Sequence, residues 1–292
     1  MNSSTLTFNS VSGGQSSAYL AATVPADYNI FSLVRIEDKN CLFPDPHLRK
    51  LVEDRLQLPF IATVEDDIIV RTIFDLEQFI GKQIIWVSGV TFEEVISKGG
   101  GYLPNRLHRF CTSLLKIKPI FEFWQSLNID PVNMNIGFRG DEKRRVDKSL
   151  LACNSFGLKE FKHTSGQVLN GTNKGKNKWV STPYCFPRFP LFSSSIFRDT
   201  IVKFWQDKPV TFAPHNNCIG CFHRNPLLLK LMSLNFPSKF DWFITQENLK
   251  KAKYSKSCWR NDVSYQSIKS FNPQAALSLD DFTDCDSGYC GL

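Results

Sequence analysis

With 292 residues, 42% hydrophobic and 22% charged, the chain is long enough for one large α/β domain or two small ones, and its composition excludes disorder over the whole length. No window holds about 18 uninterrupted apolar residues, and the opening MNSSTLTF lacks a basic leader; neither a membrane span nor a secretory leader is expected, and a cytoplasmic setting is. The formal charge of +7 is moderate but partly concentrated, which leaves a phosphate backbone open as a partner.

Apolar runs bounded by turn residues recur at 5–11, 30–36, 83–89, 132–138 and 209–214. Short, nearly continuous runs of this kind predict parallel strands buried on both faces. Between them, DPHLRKLVEDRL (45–56) carries a stripe of Leu48, Leu51, Val52 and Leu56, with Asp45 as cap and Pro46 in the first turn. SSIFRDTIVKFWQ (194–206) carries a second stripe of Phe197, Ile201, Phe204 and Trp205. Alternating strands and helices predict an α/β class, a Rossmann-like parallel sheet with helices on both faces, which places ligands beyond the C-terminal strand ends.

No repeat of about 20 to 50 residues is visible. The stretch at about 150–180 is rich in glycine, serine, asparagine and lysine and reads as a mobile insertion in an α/β domain over 1–235. Residues 236–292 read as a helical extension followed by an acidic, cysteine-containing tail. Lys174, Lys176 and Lys178 in the insertion, and Lys250, Lys251, Lys253, Lys256 and Arg260 in the extension, read either as phosphate-facing patches or as solvated surface.

The stretch NSVSGGQSSAYLAA (9–22) sets a glycine pair between a predicted strand and a predicted helix. Gly13 and Gly14 let backbone N–H groups approach an anion, and the helix that follows presents its own N–H groups to the same spot. Hydroxyls of Ser12, Ser16 and Ser17 add donors. A tight turn with no ligand has the same spacing, so the pair alone leaves both readings open.

SGGQSS resembles the SGGxxS signature of the PP-loop family, which includes sulfonucleotide reductases, ATP pyrophosphatases and tRNA thiolation enzymes. LPNRLHRFCTSLLKIKPI (103–120) resembles the Arg-x-Cys-Thr and Lys-x-x-Pro segment of the phosphoadenosine phosphosulfate reductase branch, and IGFRGDEKRR (136–145) resembles its second phosphate motif. The similarity covers roughly residues 5 to 225 and implies an adenine nucleotide alpha-hydrolase-like fold that binds ATP with Mg²⁺. It implies a nucleotide site made of Ser12, Gly13, Gly14, Gln15, Ser16, Ser17, Gly137, Arg139, Arg144 and Arg145, with Arg139 and Glu142 in catalysis. Many members carry Lys-Asp where this chain has Gln15 and Ser16, so phosphate neutralisation falls more heavily on the arginines.

Nine cysteines in a reducing compartment read as metal ligands, redox groups or core residues rather than disulfides. Cys218 and Cys221 in NNCIGCFHRNP have the spacing that turns two thiolates toward one metal, with Gly220 easing the turn. The resemblance makes Cys111 their upstream partner in an iron–sulfur (4Fe–4S) site, with Cys285 or Cys290 as a fourth ligand or the position left open for a sulfur donor; zinc is the rival metal. Cys41, Cys153, Cys185 and Cys258 read as core thiols, and His108, His215 and His223 as phosphate contacts or polar surface.

Three functions follow from the resemblance. The first is an adenylating enzyme that activates a substrate oxygen with ATP for sulfur transfer, with a nucleic acid such as tRNA or DNA as a candidate substrate and a sulfur or electron donor protein as partner. The second is a sulfonucleotide reductase whose Cys290 is the nucleophile, because YCGL at the terminus resembles the reductase tail in part. The third is a nucleotide-binding accessory protein without turnover. A homo-oligomer is compatible with all three.

Overall fold

A computed structural model describes residues 5–98, 102–128, 131–170, 172–253 and 257–273. The strands are β1 (Thr7–Val11), β2 (Tyr28–Ser32), β3 (Ile84–Val87), β4 (Val132–Asn135), β5 (Lys159–Gln167) and β6 (Asn177–Arg188), in one sheet of order β3-β2-β1-β4-β6-β5. β4 pairs in parallel with both β1 and β6, while β5 runs antiparallel to β6. The helices are α1 (Gln15–Thr23), α2 (Pro46–Leu56), α3 (Ile68–Ile80), α4 (Phe92–Lys98), α5 (Phe110–Thr112), α6 (Lys118–Ser126), α7 (Lys143–Leu151), α8 (Pro190–Ser193), α9 (Arg198–Trp205), α10 (Pro226–Asn235), α11 (Pro237–Lys253) and α12 (Tyr265–Ser270). The protein is therefore an α/β fold on a mostly parallel six-stranded sheet. Among the described residues no helix is long and apolar enough to cross a membrane.

The chain steps outward from β1 to β2 and β3, then returns to the other side of β1 as β4. That reversal makes the C-terminal ends of β1 and β4 a topological switch point, the position at which open α/β sheets bind ligands. Three buried asparagines fix the register there: Asn9 on β1 donates to Asn29 on β2 (3.1 Å), and Asn135 on β4 donates to Asn9 (2.9 Å). Such an amide chain tolerates no slip, because a one-residue shift would leave several buried polar groups unmatched.

Two compact units are distinguished, each assembled from separated stretches. The first comprises Met1–Val11, Gln15–Ile30 and Ile120–Lys208. Its core sets Phe8 edge-on to Trp124 (5.5 Å) and Phe121 against Phe161 (4.9 Å). The second comprises Ser12–Gly14, Phe31–Pro119 and Pro209–Leu292. Its core is aromatic: Phe92, Phe240, Trp242, Phe243, Trp259 and Tyr265 are all buried, and Phe243 meets Trp259 edge-on at 5.2 Å. Each such ring contributes about 1.5–3 kcal/mol by leaving water. The described part of 236–292 thus supplies the second unit with much of its interior.

Two sequence expectations are corrected. The 209–214 run forms no strand; Thr211 O accepts from the Thr72 hydroxyl (2.6 Å) and Thr211 N donates to Asp75 (3.3 Å), so side chains of α3 satisfy this backbone in place of a ladder. The expected mobile insertion at about 150–180 is largely a paired ribbon of β5 and β6, whose polar alternation hides its strand character.

Candidate functional site

β1 ends at Val11, and the chain turns through Ser12, Gly13 and Gly14 into α1. Gly13 has φ +77°, in the left-handed region that glycine occupies without strain, and a Cβ there would stand 2.6 Å from Ile69 Cγ2. Gly14 is glycine for a different reason: a Cβ would stand 2.5 Å from the Asn216 side-chain nitrogen. Both positions are closed to larger residues, so the backbone itself forms the surface of the turn. α1 then begins at Gln15, and the first N–H groups of a helix form an anion-binding end. The Trp205 indole donates to Gln15 O (3.1 Å) and holds this first turn in place.

The second motif follows β4. A Cβ on Gly137 would lie 3.1 Å from Ser16 O and 3.2 Å from Ser17 Cα, so β4's exit is in backbone contact with the first turn of α1. The resemblance-derived residues Ser16, Ser17 and Gly137 are therefore neighbours. Glu142 accepts from Arg139 N (2.8 Å) and pairs with the Arg145 guanidinium, whose carbon lies 4.2 Å from the Phe138 ring centroid. Arg139 Nε also donates to Asp141 (3.1 Å). Partial burial pushes the Asp141 carboxyl up, but hydrogen bonding and charge from Arg139 hold it below its ordinary value. Arg144 is exposed. Glu142, expected in catalysis, thus clamps two guanidinium-bearing residues in a fixed geometry.

The thiols lie in the second unit. Cys111, Cys218 and Cys221 line one cavity with Arg109, Lys116 and His223, floored by the rings of Phe92, Phe243 and Trp259. Cys111 comes from α5, 107 residues before Cys218, yet the fold brings the sequence-predicted set together. Arg109 and Lys116 supply positive charge, the surroundings in which cysteines act as ligands or nucleophiles. Lys116 is itself paired with the buried Glu65 (2.8 Å). The space enclosed is 30 Å³, room for a water or two. Among the described residues no group of three or more His, Cys, Asp or Glu side chains is arranged to hold a metal ion.

The Cys218–Cys221 turn is scaffolded by groups that motif reading passes over. Arg224, wholly buried, donates to Asn216 O (2.7 Å), Asn217 O (3.3 Å) and Cys218 O (3.2 Å). Arg260 donates to Phe222 O (3.0 Å) and Arg224 O (2.8 Å), and the Tyr265 hydroxyl donates to Gly220 O (2.9 Å). A Cβ on Gly220 would meet the Phe243 ring at 2.5 Å, so glycine here permits ring packing. Nothing in the sequence near the cysteines points to Arg260 or Tyr265; only Arg224, three residues past Cys221, is within reach of a local reading. Arg260, read as part of a phosphate-facing patch or of a solvated surface, is instead a buried ligand of main-chain oxygens.

The remaining expectations divide. Cys41 and Cys185 are buried, and burial pushes their thiols up to about 11 and about 12. Burial also raises the Cys153 thiol, and the Cys258 thiol donates to Asn261 (3.1 Å). His108 is exposed, His215 is buried and His223 is the histidine that reaches the thiol cavity. Cys285, Cys290 and Lys256 lie outside the described residues, as do the side chains of Lys250, Lys251 and Lys253.

No protein-family model matches the chain, and no curated protein and no solved structure matches it.

Proposed function

We propose that the chain is an ATP-using enzyme of the PP-loop type, with an adenine nucleotide alpha-hydrolase-like fold. It resembles the phosphoadenosine phosphosulfate reductase-like branch, and it adenylates a substrate oxygen that a sulfur then replaces. The observation that carries this reading is the contact between Gly14 and Asn216. It joins the glycine turn to the segment that, two residues on, presents Cys218 to the cavity shared with Cys221 and Cys111. The switch-point position of the turn and the backbone contact of Gly137 with Ser16 support the same reading.

In this reading the N–H groups of the turn and of α1, with the hydroxyls of Ser12, Ser16 and Ser17, bind the phosphates. Arg139, Arg144 and Arg145 offset the charge that builds on pyrophosphate as the bond to the α-phosphorus breaks. Glu142 keeps Arg139 and Arg145 oriented. Gln15 and Ser16 are neutral oxygen donors, which fit a Mg²⁺ already held by nucleotide phosphates. The substrate oxygen takes the adenylyl group, and sulfur at the hydrosulfide level displaces AMP without change of oxidation state.

Thiolates are the ligands of a soft metal centre, so Cys111, Cys218 and Cys221 would be the residues to hold an iron–sulfur cluster or zinc, for which they would have to draw closer together than they stand. A cluster would supply a site for sulfur at the end of the turn. Arg224, Arg260 and Tyr265, which donate to the main-chain oxygens around the thiols, would keep the turn in place for it.

The test is an anaerobic preparation assayed for iron, acid-labile sulfide and zinc, together with pyrophosphate release from ATP. Iron and sulfide that fall away in Cys218→Ser, with loss of substrate-dependent pyrophosphate release, are expected. Full turnover without any bound metal would overturn the sulfur-transfer reading. Sulfite formation dependent on Cys290 would replace it with a reductase, and tight ATP binding with no product under any substrate would replace it with an accessory protein.

A further inference from the structure

The ribbon of β5 and β6 is unusual in what it leaves uncovered. Between Lys159 and Arg188 the chain carries six cationic side chains, Lys159, Lys162, Lys174, Lys176, Lys178 and Arg188, against a single acid, Glu160. Lys162, Lys174, Lys176 and Lys178 are all exposed, the last three in or beside the turn that joins the strands. One face is covered: Phe161 and His163 pack on Phe121 at 4.9 and 5.2 Å. The other is open. Thr164 is paired with Trp179 and Lys162 with Ser181, which sets Lys162 and Trp179 diagonally on that open face.

Trp179 is 57% exposed, and Lys162 Nζ lies 5.8 Å from its ring centroid. A lysine on an edge strand such as β5 is accounted for by the need to stop edge-to-edge pairing. That need does not account for a large exposed indole on the next strand, which a soluble surface ordinarily hides because of the area it leaves in water. An aromatic ring flanked by cations is what a strand of unpaired bases requires: the ring stacks a base while the ammonium groups meet the adjacent phosphates. A duplex keeps its bases stacked on one another and offers the ring nothing of the kind.

We infer that the β5–β6 ribbon is an arm that grips an unpaired nucleic-acid strand, with Trp179 as the stacking platform and Lys162, Lys174, Lys176 and Lys178 as the phosphate contacts. β6 alone, at about 3.3 Å per residue, is long enough to follow several nucleotides. The register shift between Thr164 and Gln167, with Gly166 at φ +130°, is a break in the ladder of the kind that increases local strand twist. This inference stands on the ribbon alone and does not rest on the nucleotide and thiol reading.

The experiment is fluorescence anisotropy of the full chain with labelled single strands of DNA and RNA about twelve nucleotides long, the matching duplex, heparin, and phosphatidylserine vesicles. Single strands are expected to bind, duplex more weakly. Changing Lys174, Lys176 and Lys178 together to Gln should shallow the log–log salt dependence by about 2, at about 0.7 for each phosphate that is no longer neutralised. Trp179→Ala should weaken single-strand binding about tenfold, and Trp179→Phe should restore most of it. These positions are exposed, and unchanged melting of the variants confirms folding. The inference is overturned by absence of single-strand binding at low salt, by heparin binding equal to that of single strands with no effect of Trp179→Ala, or by vesicles as the preferred ligand. Because ATP-dependent pyrophosphate release and metal content are measured on the same variants, failure of the arm and failure of the enzyme reading are told apart.

Discussion

The side-chain amide of Asn216 stands 2.5 Å from where a Cβ on residue 14 would sit, and its Oδ1 is buried with no hydrogen bond from any of the described residues. Glycine at position 14 and asparagine at position 216 are therefore one packing decision made by two segments 202 residues apart. Gly14→Ala forces the amide to move, and the amide is a short side chain attached to the thiol segment. Unfolding of Gly14→Ala, Asn216→Ala and the double variant in urea should give a coupling energy of about 0.5–3 kcal/mol, with the double variant more stable than the sum of the singles predicts. Strict additivity would mean that the two segments do not constrain each other.

Gly137→Ala meets a different neighbour. Its Cβ would press on Ser16 O and Ser17 Cα, both main chain, so no side-chain rotation relieves the clash. A loss of about 1–3 kcal/mol in stability is expected from overpacking, together with weaker ATP binding, because the first turn of α1 must shift. Denaturant unfolding and titration with a fluorescent ATP analogue measure the two effects separately.

Arg224→Met removes the donors that satisfy the carbonyls of Asn216, Asn217 and Cys218 in the interior. Cys218 O keeps the Cys221 N–H as a donor (3.0 Å), so the cost falls on the carbonyls of Asn216 and Asn217, which lose the guanidinium; at about 1–3 kcal/mol each, a loss of at least about 2 kcal/mol is expected. Tyr265→Phe, which removes only the bond to Gly220 O, should cost about 1–2 kcal/mol while keeping the ring. Equal urea midpoints for the two variants would show that Arg224 does not organise the turn.

The buried thiols give a prediction in pH. With Cys41 pushed up to about 11, its thiolate is about one part in a thousand at pH 8, and Cys185, at about 12, is rarer still. Iodoacetamide mapping of the native protein at pH 8 should leave both unmodified while the denatured chain reacts fully. The folded state raises these values, so it favours the protonated thiol. That stabilisation is fully present below about pH 9, the unfolded value, and is lost as pH rises through about 11 to 12. Rapid native labelling of Cys41 would place it in solvent.

Much of the sheet was legible because its cues are local. β1, β3 and β4 lie within the apolar runs at 5–11, 83–89 and 132–138, and α2 begins at the Asp45 cap, whose carboxylate accepts from His47 N and Leu48 N at 3.0 Å. The ribbon was not legible, since an exposed strand needs no apolar residues and its lysines, serines and threonines read as loop. The run at 209–214 failed in the opposite sense: it looks like a strand, but α3 reaches its backbone first. At the site, Gly13, Gly14, Cys218 and Cys221 stand in the sequence as spaced signals, whereas Arg260 and Tyr265 carry no signal at all.

Residue order alone specifies the features that depend on neighbours a few positions away: strand and helix starts, a glycine turn, a two-residue thiol spacing, the charge of the 159–188 stretch. Folding in three dimensions is what closes Asn216 on Gly14, brings Cys111 to the later pair, and turns Arg260 inward to main-chain oxygens. Those relationships are set by chain segments that meet after folding, where a Cβ of one and an amide or ring of another compete for the same few ångströms, and no local spacing encodes that competition.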